Sequence, residues 1–233
     1  MARVIVALDH TDAASALDFV DRVGSAVSWY KVGARLFTAA GPALVGELHD
    51  RDKRVFLDLK YLDIPNTVAG AVEAAASLGV RMLTIHATGG AAMMRAAADA
   101  AAGSPTRVVA VTLLTSLTGA AAAEAWGRRA VAPADEVSRL AALAAESGAA
   151  GVVCGATEAG RVRAERGPEF RIVTPGIRLT GGSAHDQKRI ATPDGAARAG
   201  ADFLVVGRAI TGAEDPGRAA REIVDAAAVE AVA

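Results

Sequence analysis

Residues 54–67 read Arg54-Val55-Phe56-Leu57-Asp58-Leu59-Lys60-Tyr61-Leu62-Asp63-Ile64-Pro65-Asn66-Thr67. The first half is a short, nearly continuous apolar run, the signature of a strand buried on both faces. Pro65 then opens an alanine-rich stretch over 66–79, because proline suits the first turn of a helix. A buried strand feeding directly into a helix is one β-α unit. Reading outward, the same unit recurs in both directions. The spacing predicts strands at 4–8, 29–32, 55–59, 82–85, 108–113, 151–154, 171–174 and 203–206. Between them it predicts helices near 12–23, 40–50, 66–79, 90–102, 134–147, 157–166, 192–199 and 217–228. Gly24, Gly79, Gly103, Gly148 and Gly200 fall at helix ends, where a residue free to take positive φ caps the last turn.

Eight such units in 233 residues, about 29 per unit, predict an α/β fold, a (β/α)8 TIM barrel with 1–233 as a single domain. The rival is a doubly wound open sheet. It usually needs fewer strands, and no dinucleotide fingerprint follows the first strand here. No linker or composition shift marks a second domain. The longest irregular stretches are 116–133, after the fifth strand, and 179–186, after the seventh. Barrels keep their chemistry on such loops.

Composition narrows the function classes. Hydrophobic residues make up 52% and charged residues 22%, so a large core is available and disorder is excluded. The 25 basic and 26 acidic residues leave a net charge of -1, with no basic excess for nucleic acid or an anionic membrane. The one cysteine, Cys154, excludes an intrachain disulfide and a cysteine-based zinc site. The chain reaches Asp9 too soon for a signal peptide, and no apolar run approaches the ~18 residues of a membrane span. The expectation is a soluble cytoplasmic protein. Only four of the basic residues are lysines (Lys31, Lys53, Lys60, Lys188). Where arginine is the default cation, each lysine raises the question of what arginine could not do there.

Polar residues cluster at the strand exits: Asp9, Lys31-Val32-Gly33, Asp58-Leu59-Lys60, Thr115-Ser116, Arg178 and Gly207-Arg208. In a barrel they gather at one mouth. Asp58 and Lys60, two apart on a strand, share a face and point inward if Leu57 and Leu59 point out. The pair could simply be a structural ion bridge closing the core. Lys31 and Asp63 extend it to an alternating row of charges, and such rows concentrate at functional sites. Asp63 could equally be a helix N-cap, and Asp9 a strand terminator. Arg178 and Gly207-Arg208 follow the seventh and eighth strands, where barrels often bind phosphate. The alternative is a surface arginine and a turn glycine. His10, His49, His86 and His185 show no metal-ligand spacing, so no metal is expected. Cys154 reads as inert packing.

These residues resemble the orotidine 5′-phosphate decarboxylase family, in its bacterial type. The carrying segment is Asp58-x-Lys60-x-x-Asp63-Ile64-Pro65-x-Thr67. Around it, Val6 to Asp9, Tyr30-Lys31-Val32-Gly33, Leu114-Thr115-Ser116, Thr174 to Arg178, Asp186-Gln187, Ala191-Thr192-Pro193 and Val206 to Thr211 keep the family's order. The resemblance spans 4–216, nearly the whole chain. It implies a carboxy-lyase that turns orotidine 5′-monophosphate into UMP and CO2 with no cofactor, the last step of pyrimidine nucleotide synthesis. It implies Lys60 as the proton donor, Asp58 beside the departing carboxylate, and Lys31 and Asp63 completing the charged row. It further implies a homodimer in which Asp63 and Thr67 reach the neighbouring site. Asp9 and Lys31 would hold the ribose, Thr115 and Ser116 would contact the pyrimidine, and Arg178, Gln187, Gly207 and Arg208 would bind phosphate under a closing loop at 179–186. Ala209 departs from the Pro or Ser common in relatives, and 119–133, with Arg128 and Arg129, matches no motif.

Two rivals remain at this stage. A magnesium-dependent 3-keto-gulonate 6-phosphate decarboxylase shares the Asp-x-Lys-x-x-Asp strand but lacks the Ile64 to Thr67 continuation and Asp186-Gln187. A silent nucleotide-binding barrel would be expected to have lost Lys60 or an aspartate.

Overall fold

The computed structural model describes residues 1–178 and 191–229. Gln187, Asp186 and the predicted closing loop 179–186 lie outside the described residues. Eight parallel strands close on themselves in sequence order. They are β1 (Arg3–Leu8), β2 (Trp29–Gly33), β3 (Arg54–Tyr61), β4 (Met82–His86), β5 (Arg107–Val111), β6 (Gly151–Val153), β7 (Arg171–Pro175) and β8 (Phe203–Val206). The register Ile5↔Val205 between β1 and β8 makes the closure and removes the open-sheet alternative.

The alternation of side chains along each strand builds two cores. Val4, Val6 and Leu8 of β1, with Val55 and Leu57 of β3, face outward into the layer shared with the helices. Ile5 and Ala7, Phe56, Val109, Val173 and Val205 face inward and fill the barrel. Leu57 is fully buried in the outer layer. Its burial contributes about 1.5–3 kcal/mol, and truncation to alanine would cost about 2–5 kcal/mol with the cavity it leaves.

The helices are α1 (Ala13–Val23), α2 (Ala34–Ala40), α3 (Ala43–His49), α4 (Pro65–Ser77), α5 (Gly90–Ala100), α6 (Gly119–Ala125), α7 (Pro133–Glu146), α8 (Ala156–Arg166), α9 (Pro193–Arg198), α10 (Arg208–Thr211) and α11 (Pro216–Ala227). Their starts follow local chemistry. Asp12 caps α1 by accepting the Ser15 N–H at 2.9 Å, and Asp215 caps α11 through Arg218 N–H at 2.9 Å.

Three local expectations change. The helix predicted over 40–50 is α3, and a further helix, α2, precedes it over Ala34–Ala40. Gly41, at φ +66°, ends α2, and Pro42 precedes α3. The irregular stretch 116–133 contains α6, capped by Thr118 accepting from Ala121 N–H. Strand β3 runs on to Tyr61 but slips register against β4 between Leu57 and Tyr61. Within the slip Lys60 takes φ +52°, a left-handed conformation that side-chain-bearing residues rarely adopt. No helix among the described residues is long and apolar enough to cross a membrane.

Candidate active site

The charged row is a product of strand parity and the β3 irregularity. Lys31 on β2 and Asp58 on β3 face the barrel axis above Phe56. The Lys60 ammonium donates to Asp58 Oδ1 at 2.7 Å, and Lys31 Nζ stands 3.5 Å from Asp58 Oδ2 and 3.7 Å from Asp9 Oδ1. Asp58 is thus held between two ammonium groups. Exposure is lowest in the middle of the row, 14% for the Lys31 side chain and 12% for Asp58, against 65% for Asp9 and 37% for Lys60 at its ends. A Cβ at Gly33 would stand 3.2 Å from Lys31 Nζ, so the absence of a side chain there leaves room for the ammonium.

Burial alone would push the Asp58 carboxyl up. The charges of Lys31 and Lys60 and the hydrogen bonds from Lys60 and Thr84 outweigh burial and hold it below the ordinary carboxylate value. His86, at the end of β4, is shifted down by burial and then by the nearby Lys60 charge, which favours its neutral form.

Thr84 escaped the sequence reading. It is fully buried on β4. Its hydroxyl accepts the Lys60 N–H at 2.8 Å and donates to Asp58 Oδ1 at 3.0 Å. One side chain therefore orients the carboxylate and holds the backbone of the left-handed lysine. Its signal was a lone hydroxyl at an inward position of an otherwise apolar strand.

The row opens into a cavity of about 530 Å³ at the carboxyl ends of the strands. Asp9, Lys31, Asp58 and Lys60 line one wall, and the other lining residues, many of them apolar, include Thr115, Cys154, Arg178, Gly207 and Arg208. Arg178 is buried and donates to the Ile177 carbonyl at 3.1 Å. A Cβ at Gly207 would meet Asp9 Oδ2 at 3.6 Å, which places this position beside the Asp9 end of the row. Cys154 is buried, as expected, but it also borders the cavity. Ser116 is exposed and outside the lining.

Asp63 and Thr67 do not join the row in their own chain. Beyond Tyr61 the chain turns outward to begin α4, and residues 62–67 are all exposed. Asp63 does not cap α4 either. Ile64 occupies the N-cap position, and Asp63 Oδ1 accepts the Ile64 N–H at 2.6 Å. Leu62 and Ile64, 55% and 66% exposed, flank Asp63 with apolar surface. Among the described residues no group of three or more His, Cys, Asp or Glu could hold a metal ion.

Charged groups converging on the open end of a closed (β/α)8 barrel are the architecture of a barrel enzyme. The comparisons with known proteins narrow the class. The model of the Orotidine 5'-phosphate decarboxylase / HUMPS family matches residues 2–223, and the chain belongs to that family. It is 47% identical over 224 residues to an orotidine 5'-phosphate decarboxylase of Aliivibrio fischeri, covering 95% of each chain. It is 50% identical over 223 residues to one from Nitrosomonas europaea, covering 96% of each. The crystal structure of orotidine 5'-phosphate decarboxylase from Lactobacillus acidophilus superposes with a TM-score of 0.87 at 35% identity, over 98% of this chain and 100% of that one.

Proposed function

We propose that this chain is a carboxy-lyase that converts orotidine 5′-monophosphate to UMP and CO2, the last step of pyrimidine nucleotide synthesis. The observation that carries the reading is the Lys60 ammonium, 2.7 Å from the largely buried Asp58 carboxylate, at the edge of a cavity that also holds Arg178 and Arg208. The relatives named for this activity align along nearly their full length.

The reaction breaks the bond between a pyrimidine ring carbon and its carboxylate. The electron pair stays on the ring carbon while CO2 leaves, and that carbon then takes a proton. Little delocalisation is available to the carbanion, so the enzyme must favour the developing charge over the substrate's own charge. The Lys60 ammonium supplies a fixed positive charge that need not reorganise, and it then donates the proton. Lysine suits both tasks; arginine holds its proton too firmly for the second. The amine recovers its proton from solvent. Asp58 orients Lys60 and stands beside the substrate carboxylate, a like-charge contact relieved as CO2 departs.

Asp9 and Lys31 bind ribose hydroxyls, Thr115 and Ser116 contact the base, and Arg178, Gln187, Gly207 and Arg208 bind the phosphate. Arginine's forked donors match phosphate oxygens. Phosphate binding energy then helps to desolvate the charged row. The functional unit is a homodimer of single-domain barrels in which Asp63 and Thr67 complete the partner's row. Their exposure beside Leu62 and Ile64, away from their own cavity, supports this.

The test is the ultraviolet absorbance of orotidine 5′-monophosphate mixed with purified protein and excess EDTA. A rapid change yielding UMP is expected. Tight UMP binding without turnover would make the protein a silent nucleotide binder. Turnover of sugar phosphates only, with magnesium, would also overturn the reading.

A further inference from the structure

The opposite end of the barrel carries a second arrangement that decarboxylation does not use. Inward positions on the odd-numbered strands form common layers in a closed barrel. The lowest such layer here is Arg3 on β1, Arg54 on β3, Arg107 on β5 and Arg171 on β7. Their registers, Arg3↔Phe203, Trp29↔Arg54, Met82↔Arg107 and Gly151↔Arg171, set them at one level, beneath Trp29, Met82 and Phe203. Arg81, just before β4, joins them: its carbonyl accepts the Arg107 N–H at 3.1 Å.

These arginines border two adjoining cavities. One, of about 190 Å³, is lined by Arg3, Arg107 and Arg171 with Phe203 and Asp202. The other, of about 220 Å³, is lined by Arg3, Arg54, Arg81 and Arg107 with Trp29. Arg3 and Arg107 belong to both.

The positive charge is largely uncompensated. Asp202 is shared by Arg163 at 2.6 Å and Arg171 at 3.4 Å, and Glu169 lies 4.0 Å from Arg171. Arg3, Arg54, Arg81 and Arg107 have no carboxylate partner among the described residues. The chain as a whole is nearly balanced, with 25 basic and 26 acidic residues, yet no carboxylate among the described residues answers these four. Like charges gathered in a recess repel one another and focus a positive potential there. A separate observation points the same way. Trp29 is buried and lines the second cavity, and its indole Nε1 has no hydrogen-bond acceptor. Buried donors are usually satisfied. The Arg54 guanidinium stands 5.9 Å from the centre of the Trp29 ring, so an anion on Arg54 would be felt by that fluorophore.

We infer that the floor of the barrel binds a compact polyphosphate anion, with Arg3 and Arg107 bridging two phosphate groups and Arg54, Arg81 and Arg171 closing around them. Guanidinium forks bind phosphate oxygens in pairs, and two joined cavities with shared arginines suit two linked phosphates better than one. The site lies at the far end of the barrel from the catalytic cavity, so both can be occupied together.

The experiment is a titration with magnesium-free inorganic pyrophosphate, read by calorimetry and tryptophan fluorescence in a Trp126→Phe background. The titration is run first without and then with saturating UMP, which occupies the catalytic cavity. The expected result is saturable one-to-one binding with a change in Trp29 emission. The double variant Arg3→Ser/Arg107→Ser should weaken it at least tenfold while leaving kcat for decarboxylation unchanged. Arg81→Gln, at an exposed position, should weaken it about threefold and serves if the double variant does not fold. Absence of saturable binding, loss of binding when UMP is added, or equal affinity in the variants would each overturn the inference.

Discussion

Replacing Thr84 by valine removes one hydroxyl from a fully buried position and leaves the shape nearly unchanged. Two interactions go with it, the 3.0 Å bond to Asp58 Oδ1 and the 2.8 Å bond from Lys60 N–H. A hydrogen bond to a charged group contributes about 1.5–3 kcal/mol, and an orphaned buried N–H costs about 1–3 kcal/mol. Because both act through one atom they do not add in full, and the expected loss is about 3 kcal/mol. For a chain of this size that is roughly 6–12 °C in Tm. The catalytic effect should be larger than that loss suggests. Lys60 holds φ +52° with its N–H tied to Thr84, and nothing else on β4 replaces that tie. A shift of about 1 Å in a reacting group can cost about 100-fold in rate. Thr84→Val should therefore lower kcat about 100-fold, with UMP affinity changed less than threefold. Thr84→Ser keeps the hydroxyl and should restore most of kcat. The assays are orotidine 5′-monophosphate turnover by absorbance, UMP binding by calorimetry and a thermal melt. If Thr84→Val melts several degrees lower yet turns over at the wild-type rate, the hydroxyl serves the fold only and the positioning argument fails.

Lys60→Ala should abolish turnover while UMP still binds within about tenfold; substantial residual decarboxylation would remove Lys60 from proton donation. Arg208→Ala should lower kcat/KM by about 100-fold or more despite its distance from the reacting carbon, because phosphate binding helps desolvate the charged row; steady-state kinetics near wild type would contradict this. Asp58 has a lowered folded-state pKa, so the stability it contributes is complete above its unfolded value and is lost as pH falls through the folded value. Urea midpoints measured from about pH 5 down to about pH 2 should fall more steeply for wild type than for Asp58→Asn, and parallel curves would refute the linkage. Ile64→Asp should place a charge on the exposed apolar rim beside Asp63 and shift sedimentation towards the monomer, with activity lost in step; an active, unchanged dimer would move the interface elsewhere.

Most of the architecture is local and was legible. Strand length, apolar continuity and the glycine and proline punctuation are properties of a few neighbouring residues, so the eight units could be counted from the chain alone. The Asp58–Lys60 pair was also legible, since two residues apart on a strand share a face in any sheet. Helices α2 and α6 were missed. Short alanine-rich segments carry little periodicity, and their ends depend on packing against the strands.

What the chain could not disclose is what closure brings together. Thr84 meets Asp58 and Lys60 only because β4 lies beside β3 in a shifted register, and the left-handed turn at Lys60 arises from that shift. Asp63, three residues further on, points away because the strand has ended and α4 must begin, although spacing alone put it in the row. The arginine layer shows the same dependence most plainly. Arg3, Arg54, Arg107 and Arg171 lie far apart in the chain and read singly as strand-edge charges. Only the parity of a closed eight-stranded barrel sets them at one level. Sequence determines the elements through short-range chemistry, and tertiary structure decides the sites, because a site is a relation between inward-facing residues on different strands.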